Sequence, residues 1–150
     1  MALEAPRPLD DRRHDTLKRL ENDMDVWVST ASPDGAPYLV PLSFLWSDGA
    51  FLVSTPPTST TARNLTAGPH VRLALGATRD VVLIDATAHL LPTGDLGDLG
   101  DAYARHTGWD PRQEPTPYAF FRLTPHRIQA WREVNELAGR TLMRDGRWLD

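Results

Sequence analysis

The chain has 150 residues, 41% of them hydrophobic, with a net charge of −4 and no cysteine. This length points to one domain that buries roughly 68–70% of its unfolded surface and needs no metal or cross-link to fold, and the missing Cys excludes thiol catalysis, disulfides and Cys-based zinc sites and fits a reducing cytoplasm. No apolar run approaches the ~18 residues of a membrane span, residues 1–11 do not read as a signal peptide, and no basic block extends beyond Arg12-Arg13, so neither a membrane nor nucleic acid is expected as a partner.

Residues 1–9, with Pro6 and Pro8, read as a flexible arm. Leu9, Leu17, Leu20 and Met24, with Thr16 beside them, have helical spacing, and Asp10 or Asp11 stands where it can cap a helix ending at Asn22. From Asp25 to Ala31 the pattern alternates, with Val26, Val28 and Thr30 on one face, which predicts a strand. Ser32-Pro33-Asp34-Gly35 suits a type I turn. A second strand is expected from Ala36 to Trp46, and Pro41 inside it implies an edge or a bulge. Ser47-Asp48-Gly49 forms another turn before a third strand, Ala50 to Thr55.

Two prolines, Pro56 and Pro57, then stop the ladder. A hydroxyl-rich turn follows, in which Thr58 or Ser59 can cap a short helix that ends at Gly68-Pro69. Strands are expected at Val71 to Gly76 and Val81 to Leu91. Leu96, Leu99, Tyr103 and His106 predict a helix from Asp95 to Thr107, closed by Gly108 and weakened by Gly97 and Gly100. The proline-rich Trp109 to Pro117 reads as a loop, Tyr118 to Leu123 and Arg127 to Arg132 as two strands around Thr124-Pro125, and the tail, 134–150, as carrying a small hairpin at Asp145-Gly146. Six to eight short antiparallel strands at this spacing suggest a barrel, which leaves no bare edges.

The five histidines show no metal-ligand spacing, and no nucleophile elbow, dinucleotide-binding or phosphate-loop motif is present. What remains is the hydroxyl turn. Its first reading is an ordinary helix cap. Its second is an anion site, since a helix start offers unpaired N–H groups and Arg63, one turn after Ser59, can add a charge-assisted contact to a phosphate. Asn64 suits either phosphate or the turn itself. Trp131 with Arg132 is either core or the flank of a planar ligand, and Glu133 and Glu136 read as a solvated tail.

Trp27-Val28-Ser29-Thr30, Pro33-Asp34-Gly35 followed by Pro37, Val40-Pro41-Leu42, Ser54-Thr55 and Ala62-Arg63-Asn64-Leu65 occur in that order. In this the chain resembles, over residues 10–132, the pyridoxamine 5′-phosphate oxidase-like flavin and deazaflavin-dependent proteins. The resemblance implies a mainly β fold, an antiparallel split barrel of the FMN-binding type, and a homodimer with two cofactor sites at the subunit interface. It implies that Thr55, Thr58, Ser59, Thr60 and Thr61, with Arg63 and Asn64, hold the cofactor phosphate. Val40, Pro41, Leu42 and Ser43 would run along the ring, and Trp131 and Arg132 would approach from the partner subunit. The implied reaction is hydride transfer between bound FMN or F420 and a small organic substrate, which asks for no catalytic acid–base residue in the protein.

The chain also departs from the family. Ser59 and Thr61 are hydroxylic where many members are basic, which keeps open a non-catalytic binder of flavin, haem or another planar ligand. The chain is shorter than the true pyridoxamine phosphate oxidases and its tail differs, so vitamin B6 synthesis is not expected. Lys18 is the only lysine among sixteen basic residues, a bias of GC-rich genomes that tilts the cofactor expectation towards F420.

Overall fold

The computed structural model describes residues 4–150. Alternation decides the first strand: in β1 (Asp25–Ala31) Val26, Val28 and Thr30 are buried while Trp27 faces out. β2 (Pro37–Ser47) and β3 (Ala50–Thr55) follow in antiparallel order, then helix α2 (Thr60–Ala67), β4 (His70–Leu75) and β5 (Val81–Leu91). Helix α3 (Asp98–Thr107) precedes the long β6 (Ala119–Trp131), and β7 (Thr141–Arg144) with β8 (Arg147–Trp148) forms a terminal hairpin.

The strand order is β3-β2-β1-β4-β5-β6, and β3 pairs with β6 to close these six into an antiparallel barrel. β7 and β8 extend the sheet beyond β6. Phe44, Phe51, Leu73, Ile84, Leu123 and Ile128 are fully buried in the interior, and helix α1 (Leu9–Asn22) lays Leu9, Leu17 and Leu20 on that core. β3 is buried on both faces. Its inner residues Phe51 and Val53 belong to the barrel, while Leu52 packs outward on Leu96, Tyr103 and Phe120 under α3. Among the described residues no helix is long and apolar enough to cross a membrane.

Several expectations are corrected. α1 has Pro8 as its N-cap and no side-chain cap; Asp10 and Asp11 lie inside the first turn, where their charge favours the helix dipole. The helix expected from Asp95 breaks at Gly97, whose φ of 50° interrupts it, so a short 3-10 turn (Thr93–Asp95) precedes α3. The two strands expected around Pro125 are one. Asp85 faces Arg127 and Ala86 faces Pro125, which leaves His126 as the extra residue of a bulge that admits the proline without breaking the ladder. The hairpin is as expected, with Asp145 (φ 53°) and Gly146 (φ 75°) at its tip.

The arm and the tail differ most from expectation. Residues 1–3 lie outside the described residues, but Arg7 is not free. Its Nε and Nη2 donate to the two carboxylate oxygens of Glu136 at 2.8 Å each, its backbone N–H donates to the same carboxylate at 3.0 Å, and Nη1 donates to Asp15. Asn135 Nδ2 donates to the Glu4 carbonyl. Glu136, expected to be solvated, is 2% exposed and also accepts the Arg132 backbone N–H. Arg7 first of all, and then these backbone donors, hold the Glu136 carboxyl down from an ordinary 4.5 to about 2.

The pH dependence follows from that direction. A depressed carboxylate contributes its stability above the unfolded pKa and loses it as the pH falls towards the folded one. Acidification from pH 5 to 2 should therefore remove about 3 kcal/mol of unfolding free energy through this group, at 1.36 kcal/mol per unit. The Arg7→Ala variant should be less stable at pH 7 and lose less on acidification than the parent, read by urea unfolding at each pH.

Candidate functional site

Only Phe44 to Ser47 of β2 pair with β3, whereas β3 pairs with β6 along Phe51 to Thr55. Continuing the β2–β3 register would set Leu42 opposite Thr55, but the two strands have parted by then. Residues 37–43 of β2 thus have β1 on one side and no strand on the other. Pro41 sits inside this stretch, paired to Trp27, and the edge expected from that proline is present. Val40 and Leu42 are half-buried and Pro41 is exposed. Ser43 is engaged throughout: its hydroxyl donates to Asp25 at 2.9 Å and its carbonyl accepts from Tyr103 Oη at 3.2 Å. Burial, with the Asp25 charge, pushes the Tyr103 phenol above its usual range, so it stays a neutral donor that ties α3 to β2.

Helix α2 begins beside this opening. Ser59 is its N-cap: Oγ accepts the Ala62 N–H at 3.1 Å and the Thr55 hydroxyl at 2.9 Å. The capping serine leaves the N–H groups of Thr60 and Thr61 as the open donors of the first turn. Arg63 is exposed, meets only Thr60 Oγ1 at 3.4 Å, and pairs with no carboxylate among the described residues. Thr58 is exposed and Thr60 half-buried.

The structure divides the residues expected here. Thr58, Ser59, Thr60 and Arg63 share the open corner, with Thr55 behind them on Ser59. Thr61 is 1% exposed, so only its backbone N–H belongs to the helix start. Asn64 faces inward, and its Nδ2 donates to Thr30 Oγ1 at 3.0 Å. That bond docks α2 on β1 and answers the choice left open between phosphate and turn. Thr30 was missed as a member of the site, although its place on the inward face of β1 was a usable signal. Tyr103 carried no such signal, because nothing in the pattern says that α3 returns to β2.

Trp131 and Arg132 are elsewhere. Trp131 pairs with Val81 at the far end of β6 from Ala119, which pairs with Thr55. About 40 Å of strand separates the two ends, at ~3.3 Å per residue. The Arg132 guanidinium lies 3.3 Å from Asp80 and 3.7 Å from Asp15, and the Arg140 guanidinium stands over the Trp131 ring, 5.7 Å from its centre.

A six-stranded antiparallel barrel parted between two neighbouring strands, with a helix start in the opening, defines the split-barrel class. The sequence pattern of the family described as pyridoxamine 5′-phosphate oxidase matches residues 16–132. The chain belongs to that family. No curated protein matches its sequence. Among solved structures it is similar to an F420 reductase (15% identity, TM-score 0.62, covering 74% of this chain and 93% of that one). It is also similar to a FAD-binding protein from Mesorhizobium loti (24% identity, TM-score 0.61, 77% and 89%) and to a haem storage protein from Vibrio cholerae (17% identity, TM-score 0.59, 80% and 92%). At these identities the likeness is one of fold.

Thr30→Val strands the buried Asn64 amide and should cost about 1–3 kcal/mol of stability. Adding Asn64→Leu should recover part of the loss. Urea unfolding of the single and double variants checks both, and a loss below ~0.5 kcal/mol for Thr30→Val would show that α2 does not need this anchor.

Proposed function

We propose that the protein is an oxidoreductase that transfers hydride between a bound FMN or F420-type deazaflavin and a small organic substrate, and that it acts as a homodimer. One observation carries this reading: the unpaired edge of β2 at Val40 to Leu42 adjoins a helix start whose nearest cation, Arg63, has no acidic partner. The chemistry of the corner fits the terminal phosphate of such a cofactor. Backbone N–H groups of Thr60 and Thr61 donate, the hydroxyls of Thr58 and Thr60 add neutral donors, and Arg63 supplies the charge. The β2 edge offers backbone groups and the flat side of Pro41 along a planar ring. The cofactor, when bound, supplies the redox chemistry. The protein positions it and keeps water from it, and no general acid or base is assigned.

The dimer rests on the outward row that runs Pro41, Trp27, Ala74 across β2, β1 and β4. Trp27 is 47% exposed and Leu39 58%, and a groove of about 570 Å³ runs past Met24, Trp27 and Pro41. A second copy would cover this apolar face. It would also bring Trp131 to the cofactor from outside, since the chain's own Trp131 lies at the wrong end of β6.

A carrier or sensor that binds such a ring without turnover is the second reading. The buried Thr61 and the single cation at the corner favour it. Reduced cofactor that binds but is oxidised by no unsaturated or conjugated acceptor would support it over catalysis.

Titration with FMN and with F420, followed by Trp fluorescence, should give a Kd below ~100 µM for one of them, about −5.5 kcal/mol; saturation by neither overturns both readings. Arg63→Ala should weaken the bound cofactor about 10- to 100-fold, and an unchanged Kd removes Arg63 from the site. Trp27→Glu should turn the dimer into a monomer in sedimentation and lower cofactor affinity with it; a dimer that survives places the interface on another face.

A further inference from the structure

We propose that the groove between β6, β7 and the segment before β7 is a second anion site, built for a small organic phosphate monoester. The groove holds about 330 Å³ and is lined by Arg127, Gln129, Arg140, Thr141 and Arg144, with Leu137 and Leu149 as apolar walls. No carboxylate lines it; Asp145 and Asp150 belong to the neighbouring hairpin tip.

Three arginines face one groove in a chain whose net charge is −4. Arg140 is held in place, since Nη1 donates to the Leu137 carbonyl at 3.1 Å and its guanidinium lies over Trp131. Arg127 and Arg144 are exposed and enter no ion pair among the described residues. Asp85, the cross-strand neighbour of Arg127, is taken by Arg72 at 2.6 Å. The positive charge is therefore left uncompensated by the chain itself.

Gln129 is the independent sign of a ligand. It is 8% exposed, yet its amide has no hydrogen-bond partner among the described residues. Its cross-strand neighbour Thr141 also keeps an unpartnered hydroxyl. A buried amide is normally paired, because leaving it unpaired forfeits its hydration with nothing in return. An oxygen-rich anion in the groove would accept from Gln129, Thr141 and the guanidinium forks together. A phosphate monoester carries a charge of −1.5 to −2 and three acceptor oxygens, which suits three cations; a monocarboxylate brings one charge and two oxygens. The volume exceeds what a phosphate group fills, and the two leucines give its organic part an apolar bed. The site is separate from the α2 corner: Arg127 lies eight residues along β6 from Ala119, about 26 Å at the strand rise.

The test uses the full chain, titrated at constant ionic strength with phenyl phosphate, inorganic phosphate and benzoate, and read from the Gln129 amide and arginine Nε–H resonances. Phenyl phosphate should saturate at about 1 mM or below, with inorganic phosphate weaker. Gln129→Leu, and separately the exposed pair Arg127→Ala with Arg144→Ala, should each weaken binding about tenfold or more at unchanged Tm. Arg63→Ala should leave it unchanged. Failure to saturate by about 10 mM phenyl phosphate, benzoate binding as tightly, or an affinity untouched in the double arginine variant overturns the proposal. Should Gln129→Leu fail to fold, the surface arginine pair still decides it.

Discussion

A strand has two edges, and in this protein everything turns on how β3 divides its own. One edge meets β2 only from Phe44 to Ser47, and the other meets β6 along Phe51 to Thr55. The β6 pairing closes the barrel and removes exposed edges. The short β2 pairing leaves residues 37–43 with one partner strand, and α2 enters at that opening. A longer β2–β3 ladder would have satisfied more backbone groups and left no place for a ligand. The candidate site is thus the part of the sheet where hydrogen bonding was left incomplete, which is where a planar ligand with polar edges has something to replace.

What holds the opening in shape is polar. Ser59 caps α2 while accepting from Thr55 at the end of β3, and Asn64 ties the same helix to Thr30 on β1. Tyr103 reaches from α3 to the Ser43 carbonyl. Each bond crosses between elements, and those of Asn64 and Tyr103 are shielded from water, where leaving either partner unpaired costs more than the bond itself contributes. These contacts fix the distance between the β2 edge and the helix start better than apolar packing alone, which tolerates sliding.

Electrostatics are arranged differently at the two ends of β6. Near Trp131, Arg7, Arg132, Asp15, Asp80 and Glu136 form a network that fastens the arm and the tail to the barrel. At the α2 corner and in the β6–β7 groove, Arg63, Arg127 and Arg144 carry charge that no acid answers. In a chain with more acids than bases, cations left alone in two places mark where an anion is wanted.

The strand pattern, the turn at Asp145-Gly146, the Ser59 cap and the family were all legible in the sequence, because each rests on neighbours within a few residues: alternation, a positive φ, a hydroxyl three residues before the N–H it accepts. The membership of the site was legible only in part. Thr61 and Asn64 share a turn with Arg63, but which of them faces water depends on the strand against which α2 is laid. The same holds for Glu136, whose partner Arg7 is 129 residues away, and for Pro125, whose strand survives because β5 supplies a bulge. By itself the sequence determined the elements, their order and the chemistry available to them. Only the tertiary structure decided which groups are left unpaired, because satisfying a hydrogen bond or a charge is a matter of what lies alongside, and chain order does not contain that.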